Sequence, residues 1–139
     1  MNRSGDFREE VGVTRRVLIV DDEEAIRALL RRTLSTDHYE VIEAFDGEEG
    51  LRLLGESDPD LVVLDWQMPG THGSLVLDEV KARRPSLPVV VLTSKVEERD
   101  RMLAESLRVD AFLTKPFSPV ELRETIERLL DQSPLDHAT

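Results

Sequence analysis

Three runs of consecutive apolar residues, VLIV (17–20), LVVL (61–64) and VVVL (89–92), carry no polar residue inside them, and each stops on one: Asp21, Asp65 and Thr93. A strand with one face in water alternates apolar and polar side chains. An unbroken apolar run of this length, bounded by charged or turn residues, therefore belongs to a strand buried on both faces. Two further runs rich in β-branched residues, YEVIEA (39–44) and AFLT (111–114), complete a set of five predicted strands.

Between these runs the hydrophobic period changes to that of a helix. Ile26, Leu29, Leu30 and Leu34 fall on one stripe, with Arg27, Arg31 and Arg32 off it. GEEGLRLL, SLVLDEVKA, EERDRMLAESL (97–107) and PVELRETIERLL supply four more helices. The last one carries its own start signal: Ser118 as N-cap, Pro119 at the first helical position and Glu121 in a capping box. Strict alternation of strand and helix requires right-handed crossovers and a parallel sheet covered on both sides. The fold class is α/β, a doubly wound five-stranded parallel sheet flanked by five helices.

The chain of 139 residues is about one domain long. Residues 1–15 are predicted to be a flexible arm, residues 16–131 the folded domain and residues 132–139 a flexible tail, because neither end shows a sustained period. With no cysteine, a disulfide framework, a thiolate metal site and a Cys nucleophile are excluded. A formal net charge of −11 opposes direct binding to nucleic acid or to an anionic lipid surface. No apolar run is long enough to cross a bilayer, and a soluble, cytoplasmic protein is expected.

In open α/β sheets, ligands bind beyond the carboxyl ends of the strands. Asp21, Asp22 and Asp65 should therefore share one crevice, which is repulsive unless a carboxylate is protonated or a cation is bound. All-oxygen ligation without His or Cys points to Mg²⁺. Lys115, after the fifth run, can reach the same crevice, and Thr93 offers a hydroxyl. Metal, ammonium and hydroxyl together suit a phosphoryl group, whose transfer depends on positioning and charge neutralisation, and a carboxylate can serve as its acceptor. Asp65 is the candidate phosphoacceptor.

The set formed by Asp21-Asp22, DWQMPGTHG (65–73), LTS (92–94) and KPF (115–117), in this order and spacing, resembles the receiver domain of two-component response regulators. The resemblance covers about residues 15–131. It implies a flavodoxin-like sheet of strand order 2-1-3-4-5, and an aspartyl phosphate on Asp65 drawn from a histidine kinase or a phosphotransfer protein. By the same similarity Asp22, Asp65 and the backbone carbonyl of Gln67 would bind Mg²⁺ directly, with Asp21 acting through water. Lys115 would pair with the phosphate, Thr93 would donate its hydroxyl to it, and the Lys115-Pro116 bond would be cis. The signal would leave through the 97–107 helix, the last strand with Phe112, and the last helix, towards a protein target.

Several positions depart from the family pattern. Phe112 fits the position where Tyr or Phe is usual but has no hydroxyl, so as a switch residue it could only bury or expose a ring. Arg108-Val109 replaces the usual Gly-Ala. Gln67 and Lys95 lie where the family tunes the lifetime of the phosphate. His38, His72 and His137 lack ligand spacing and read as surface residues. Two rivals remain: an Mg²⁺-dependent phosphatase with an aspartyl nucleophile, and a pseudo-receiver that binds without phosphate. The first is disfavoured because Gln67 occupies the place where such phosphatases carry a general-acid Asp. A stand-alone receiver, monomeric or weakly dimeric and not a multiple-turnover enzyme, is expected; a receiver cut from a longer protein is the other possibility.

Overall fold

In the computed structural model, residues 14–35, 38–70, 72–95, 97 and 109–131 are described. Five strands, β1 (Arg15–Val20), β2 (Tyr39–Ala44), β3 (Leu61–Asp65), β4 (Val89–Thr93) and β5 (Ala111–Thr114), form one sheet of order β2-β1-β3-β4-β5. All four pairings are parallel. The three unbroken apolar runs are the three central strands, so burial on both faces is the reason they lack alternation.

Strand β1 begins at Arg15, two residues before its apolar run, because Arg15 and Arg16 already pair with Tyr39 and Glu40. Four helices are found among the described residues: α1 (Glu24–Thr33), α2 (Gly47–Ser57), α3 (Gly73–Arg83) and α4 (Pro119–Asp131). The helix expected over 97–107 lies outside the described residues, Glu97 apart. So do the expected arm, except Thr14 and Arg15, and the expected tail.

Successive residues of each central strand point to opposite faces, and two cores result. Val17 and Ile19 of β1, Leu61 and Val63 of β3, and Val90 and Leu92 of β4 pack with Leu30 and Leu34 at α1 and with Leu122 and Ile126 of α4. Leu18, Val20, Val62, Leu64, Val89 and Val91 face the other way, against Leu54 of α2 and Val76, Leu77 and Val80 of α3. Each helix thus lays its apolar stripe on one side of the sheet. The α1 stripe predicted from period alone is present, with Leu30 and Leu34 buried and Ile26 and Leu29 partly so.

Local signals set the helix ends. Asp46 caps α2 by accepting from Glu49 N–H at 2.8 Å, and Glu49 Oε1 accepts from Phe45 N–H at 2.8 Å, two donors satisfied reciprocally. At α4, Ser118 Oγ accepts from Glu121 N–H at 3.2 Å, as the sequence predicts. The cap of α3 is His72, whose Nδ1 accepts from Ser74 N–H at 3.0 Å.

The register brings the strand ends to one level. Val20 pairs with Leu64, Asp65 with Leu92 and Thr93 with Thr114. The ladder continues past the strands, with Asp21 N–H donating to Ala44 O at 3.1 Å, Trp66 N–H to Leu92 O at 2.9 Å and Lys115 N–H to Thr93 O at 2.8 Å. Those bonds fix the backbone on which the polar groups sit.

Candidate functional site

The residue after β1, the last of β3, the last of β4 and the residue after β5 are Asp21, Asp65, Thr93 and Lys115. Topology delivers them to one crevice. One ligand oxygen from each of Asp21, Asp22 and Asp65 falls within 4.8 Å of the others. Asp21, Asp65 and Thr93 are buried, whereas Asp22 is exposed at the mouth. Lys115 enters from the side of β5, its Nζ 3.3 Å from Asp65 Oδ1, 3.3 Å from Asp21 Oδ2 and 3.1 Å from Glu23 Oε1. The Lys115-Pro116 peptide is cis.

The loop after β3 is built to hold Asp65 still. Gln67 N–H donates to Asp65 Oδ1 at 3.2 Å. Gly70 has φ +82, a left-handed conformation that closes the Met68-Pro69-Gly70 turn and that side chains disfavour. Gly73 then brings α3 against Trp66: a Cβ on Gly73 would lie 2.7 Å from Trp66 Cε3 and 2.9 Å from its Cα. The Trp66 ring is buried, and His72 meets it edge-on with centroids 5.3 Å apart.

On the β1 side, Glu23 N–H donates to Asp21 Oδ1 at 2.9 Å, and the Arg27 guanidinium of α1 donates to the Asp21 carbonyl at 2.6 Å. Arg27 also pairs with Glu24 and Glu43. It ties the acidic loop to helix and edge strand together.

Burial pushes the Asp65 carboxyl up to about 7, helped by the neighbouring Asp21 charge and opposed by Lys115 and the Gln67 N–H. Burial also raises Asp21, against the Glu23 N–H and Lys115. For Lys115 burial acts downward, but the charges of Asp21 and Asp65 outweigh it and the ammonium is held above its usual value. The cation is firmly charged and one carboxylate is under-compensated. Asp65 Oδ2 is buried and lacks a hydrogen-bond partner among the described residues. An orphaned carboxylate oxygen beside two more carboxylates, with only oxygen donors at hand, fits a hard divalent cation such as Mg²⁺.

Thr93 sits at the far side of the crevice. Its Oγ1 accepts from Gln67 Nε2 at 2.9 Å and from Lys95 N–H at 3.1 Å. Gln67 Oε1 accepts from Ser94 N–H at 3.3 Å. Phe112 on β5 is partly buried and packs with Val109 against the core under α2 and α3.

The sequence model of the response regulator receiver domain matches residues 17–127. The chain belongs to that family. The chain is 39% identical over 121 residues to the alkaline phosphatase synthesis transcriptional regulatory protein PhoP of Bacillus subtilis (strain 168), covering 87% of this chain and 50% of that protein. It thus spans half the length of that relative.

Among solved structures, the receiver domain of NtrX from Brucella abortus superimposes with a TM-score of 0.77 at 34% identity, covering 84% of this chain and 99% of that one. The CheY-like receiver domain protein of Methanospirillum hungatei JF-1 gives 0.81 at 28% identity, covering 88% and 98%. Chemotaxis protein CheY4 of Vibrio cholerae gives 0.77 at 28%, covering 84% and 99%. The receiver family binds Mg²⁺ at an acidic pocket and works as a phosphoacceptor switch between donor and target proteins rather than as a multiple-turnover enzyme.

The structure brings together every residue singled out from sequence for the crevice: Asp21, Asp22, Asp65, Gln67, Thr93 and Lys115. Two neighbours of the site and one bridging contact were not legible. Glu23 and Arg27 reach it from the first turns after β1, which an amphipathic reading assigns to solvent. The Gln67 side chain crosses to the next loop, and only the loop conformations reveal that span. No helix among the described residues is long and apolar enough to cross a membrane.

Proposed function

We propose that Asp65 accepts a phosphoryl group from a phosphohistidine on a histidine kinase or phosphotransfer protein. The observation that carries this reading is the buried Asp65 carboxylate clustered with Asp21 and Asp22, with Lys115 against Oδ1 and no hydrogen-bond partner for Oδ2 among the described residues. A carboxylate oxygen of Asp65 forms the new O–P bond as the P–N bond breaks; the electron pair of that bond goes to the ring nitrogen, which takes a proton from solvent as the imidazole departs. Gln67 N–H and Lys115 hold Oδ1 during the approach.

Asp22, Asp65 and the Gln67 carbonyl would hold Mg²⁺, with Asp21 acting through water. When bound, the ion neutralises the clustered carboxylates and the charge on the phosphoryl oxygens. Lys115, already charged and close, exchanges its contact with Asp65 for one with the phosphoryl group. That group brings roughly −1.5 to −2 charges into an acidic crevice, so the ammonium is required on electrostatic grounds.

Thr93 answers by donating its hydroxyl to a phosphoryl oxygen. A hydrogen bond to a charged group contributes about 1.5–3 kcal/mol, whereas moving a two-state equilibrium from 1:99 to 99:1 takes about 5.5 kcal/mol. One hydroxyl cannot supply the whole switch, and Lys115 and the loops after β3 and β4 share it. The change passes to the 97–107 segment, Phe112 and α4, and alters binding of a protein target there.

Acetyl phosphate with Mg²⁺, followed by intact mass on the native protein and on Asp65→Asn, tests the reading. One labile phosphoryl group, absent from the variant, is expected. Catalytic consumption of the donor well beyond slow self-hydrolysis of the acyl phosphate would make the protein a phosphatase. No labelling would make it a pseudo-receiver.

A further inference from the structure

We infer that the Gln67 side chain is a positioning residue that latches Thr93 and Ser94 in the resting arrangement, so that this amide bridge sets how easily the switch turns. The inference rests on the reading of Asp65 as acceptor and Thr93 as the group that responds to it.

The amide is held at both ends. Nε2 donates to Thr93 Oγ1 at 2.9 Å, and Oε1 accepts from Ser94 N–H at 3.3 Å. The opposite amide orientation would set Nε2 against the Ser94 N–H, donor against donor, so the Ser94 contact fixes which end is which. Gln67 itself is anchored, because its N–H is bonded to Asp65 Oδ1. The bridge therefore joins the loop that carries the acceptor to the loop that carries the responding hydroxyl.

The Thr93 hydroxyl is constrained by what it accepts. Its two lone pairs are taken by Gln67 Nε2 and by Lys95 N–H at 3.1 Å, and among the described residues its own proton has only a long contact, 3.5 Å, to the Lys95 carbonyl. Two accepted bonds fix the direction of the O–H. To aim that proton at a phosphoryl group on Asp65, the hydroxyl must turn or travel, and Lys95, two residues on, can travel with it. Gln67 cannot, because its backbone belongs to the Asp65 loop. The bond from Gln67 is the one that must give way, and its loss opposes switching.

Gln67→Met deletes two bonds, but the one to Thr93 is the bond that switching must break, so the equilibrium should shift roughly 3- to 10-fold. Gln67→Met keeps the length of the side chain and the backbone carbonyl while deleting both polar ends. Beryllofluoride with Mg²⁺ serves as a phosphoryl analogue free of turnover, titrated by fluorescence of Trp66, the only tryptophan. In Gln67→Met the concentration for half-saturation should fall roughly 3- to 10-fold, and the Ser94 amide of the unphosphorylated protein should exchange faster by a similar factor.

In a Thr93→Val background the gain in beryllofluoride affinity should vanish, which a merely structural role for Gln67 would not produce. An unchanged Ser94 amide, or an equal gain in both backgrounds, overturns the latch. The acceptor reading is judged separately, by acetyl phosphate labelling of the native protein. If that labelling fails while Ser94 still exchanges faster in Gln67→Met, the bridge stands and the reading of Asp65 falls.

Discussion

Lys115 Nζ sits 3.3 Å from Asp65 Oδ1, and the same ammonium is shared with Asp21 and Glu23. It is the only basic side chain among the described residues in ion-pair contact with Asp65, in the position a divalent ion and a phosphoryl group must both negotiate. Lys115→Met removes a positive charge from beside the metal site. Mg²⁺ should then bind several-fold more tightly, read from Trp66 fluorescence, while the phosphorylated form loses its counter-charge and accumulates less in acetyl phosphate. Weaker Mg²⁺ binding in this variant would mean that Lys115 organises the carboxylates more than it repels the ion.

The raised Asp65 makes stability depend on pH in a definite direction. Its carboxyl titrates near 3.8 when unfolded and at about 7 when folded, so the folded state binds the proton more tightly between these values. Stability should therefore fall as pH rises from about 4 to about 7, and stay low above that. Asp21 shifts the same way. Lys115, held above its usual value, remains charged throughout and adds no slope there. Metal-free protein should melt several degrees lower at pH 8 than at pH 5.5. Asp65→Asn should remove most of that difference, and saturating Mg²⁺ should raise the melting temperature more at pH 8. A flat profile in the metal-free native protein would contradict the burial of an under-compensated carboxylate.

How far the sequence carries can be read from these residues. VLIV, LVVL and VVVL announce buried parallel strands because apolar continuity is a direct consequence of two-sided burial, and the polar group ending each run then falls at the ligand edge by topology alone. Asp21, Asp65, Thr93 and Lys115 are legible for that reason. The cap of α3 by His72 is less so, since an imidazole cap leaves no period, and the span from Gln67 to Thr93 depends on two loop conformations at once. Lys81 would be taken for a solvated helix residue, yet it is buried.

The approach of α3 to the acceptor loop predicts opposite outcomes for two glycines. Gly73→Ala would put a methyl within 3 Å of Trp66 backbone and ring atoms, where neither neighbour can yield cheaply. A loss of about 1–3 kcal/mol is expected from overpacking, together with altered Trp66 fluorescence. Gly55, in α2, has nothing within 4 Å of where its Cβ would stand. Gly55→Ala should stabilise by about 0.5–1 kcal/mol, since alanine loses less backbone entropy in a helix. Denaturant melts of both variants check the pair, and equal effects would refute the packing argument.

At the opposite pole of the sheet, Lys81 Nζ donates to the Leu87 carbonyl at 2.6 Å and to Asp110 Oδ2 at 2.9 Å, and Asp110 Oδ2 also accepts from Val89 N–H at 2.8 Å. These bonds clamp the end of α3, the start of β4 and the turn before β5. Asp110→Ala leaves a buried ammonium with only a carbonyl among the described residues, and breaking a buried pair from one side costs about 3–5 kcal/mol. Because Asp110 is about a third exposed, the lower part of that range applies, and water can relieve some of the loss. Lys81→Met with Asp110→Ala should recover much of the stability, since no buried charge is then left unpaired. Both variants should still take a phosphoryl group on Asp65 at the native rate, because the clamp lies at the amino ends of β4 and β5 and the acceptor crevice at the carboxyl ends. Urea melts combined with acetyl phosphate labelling separate the two effects. Loss of labelling in a variant that remains folded would show that the turn before β5 is mechanically coupled to the crevice.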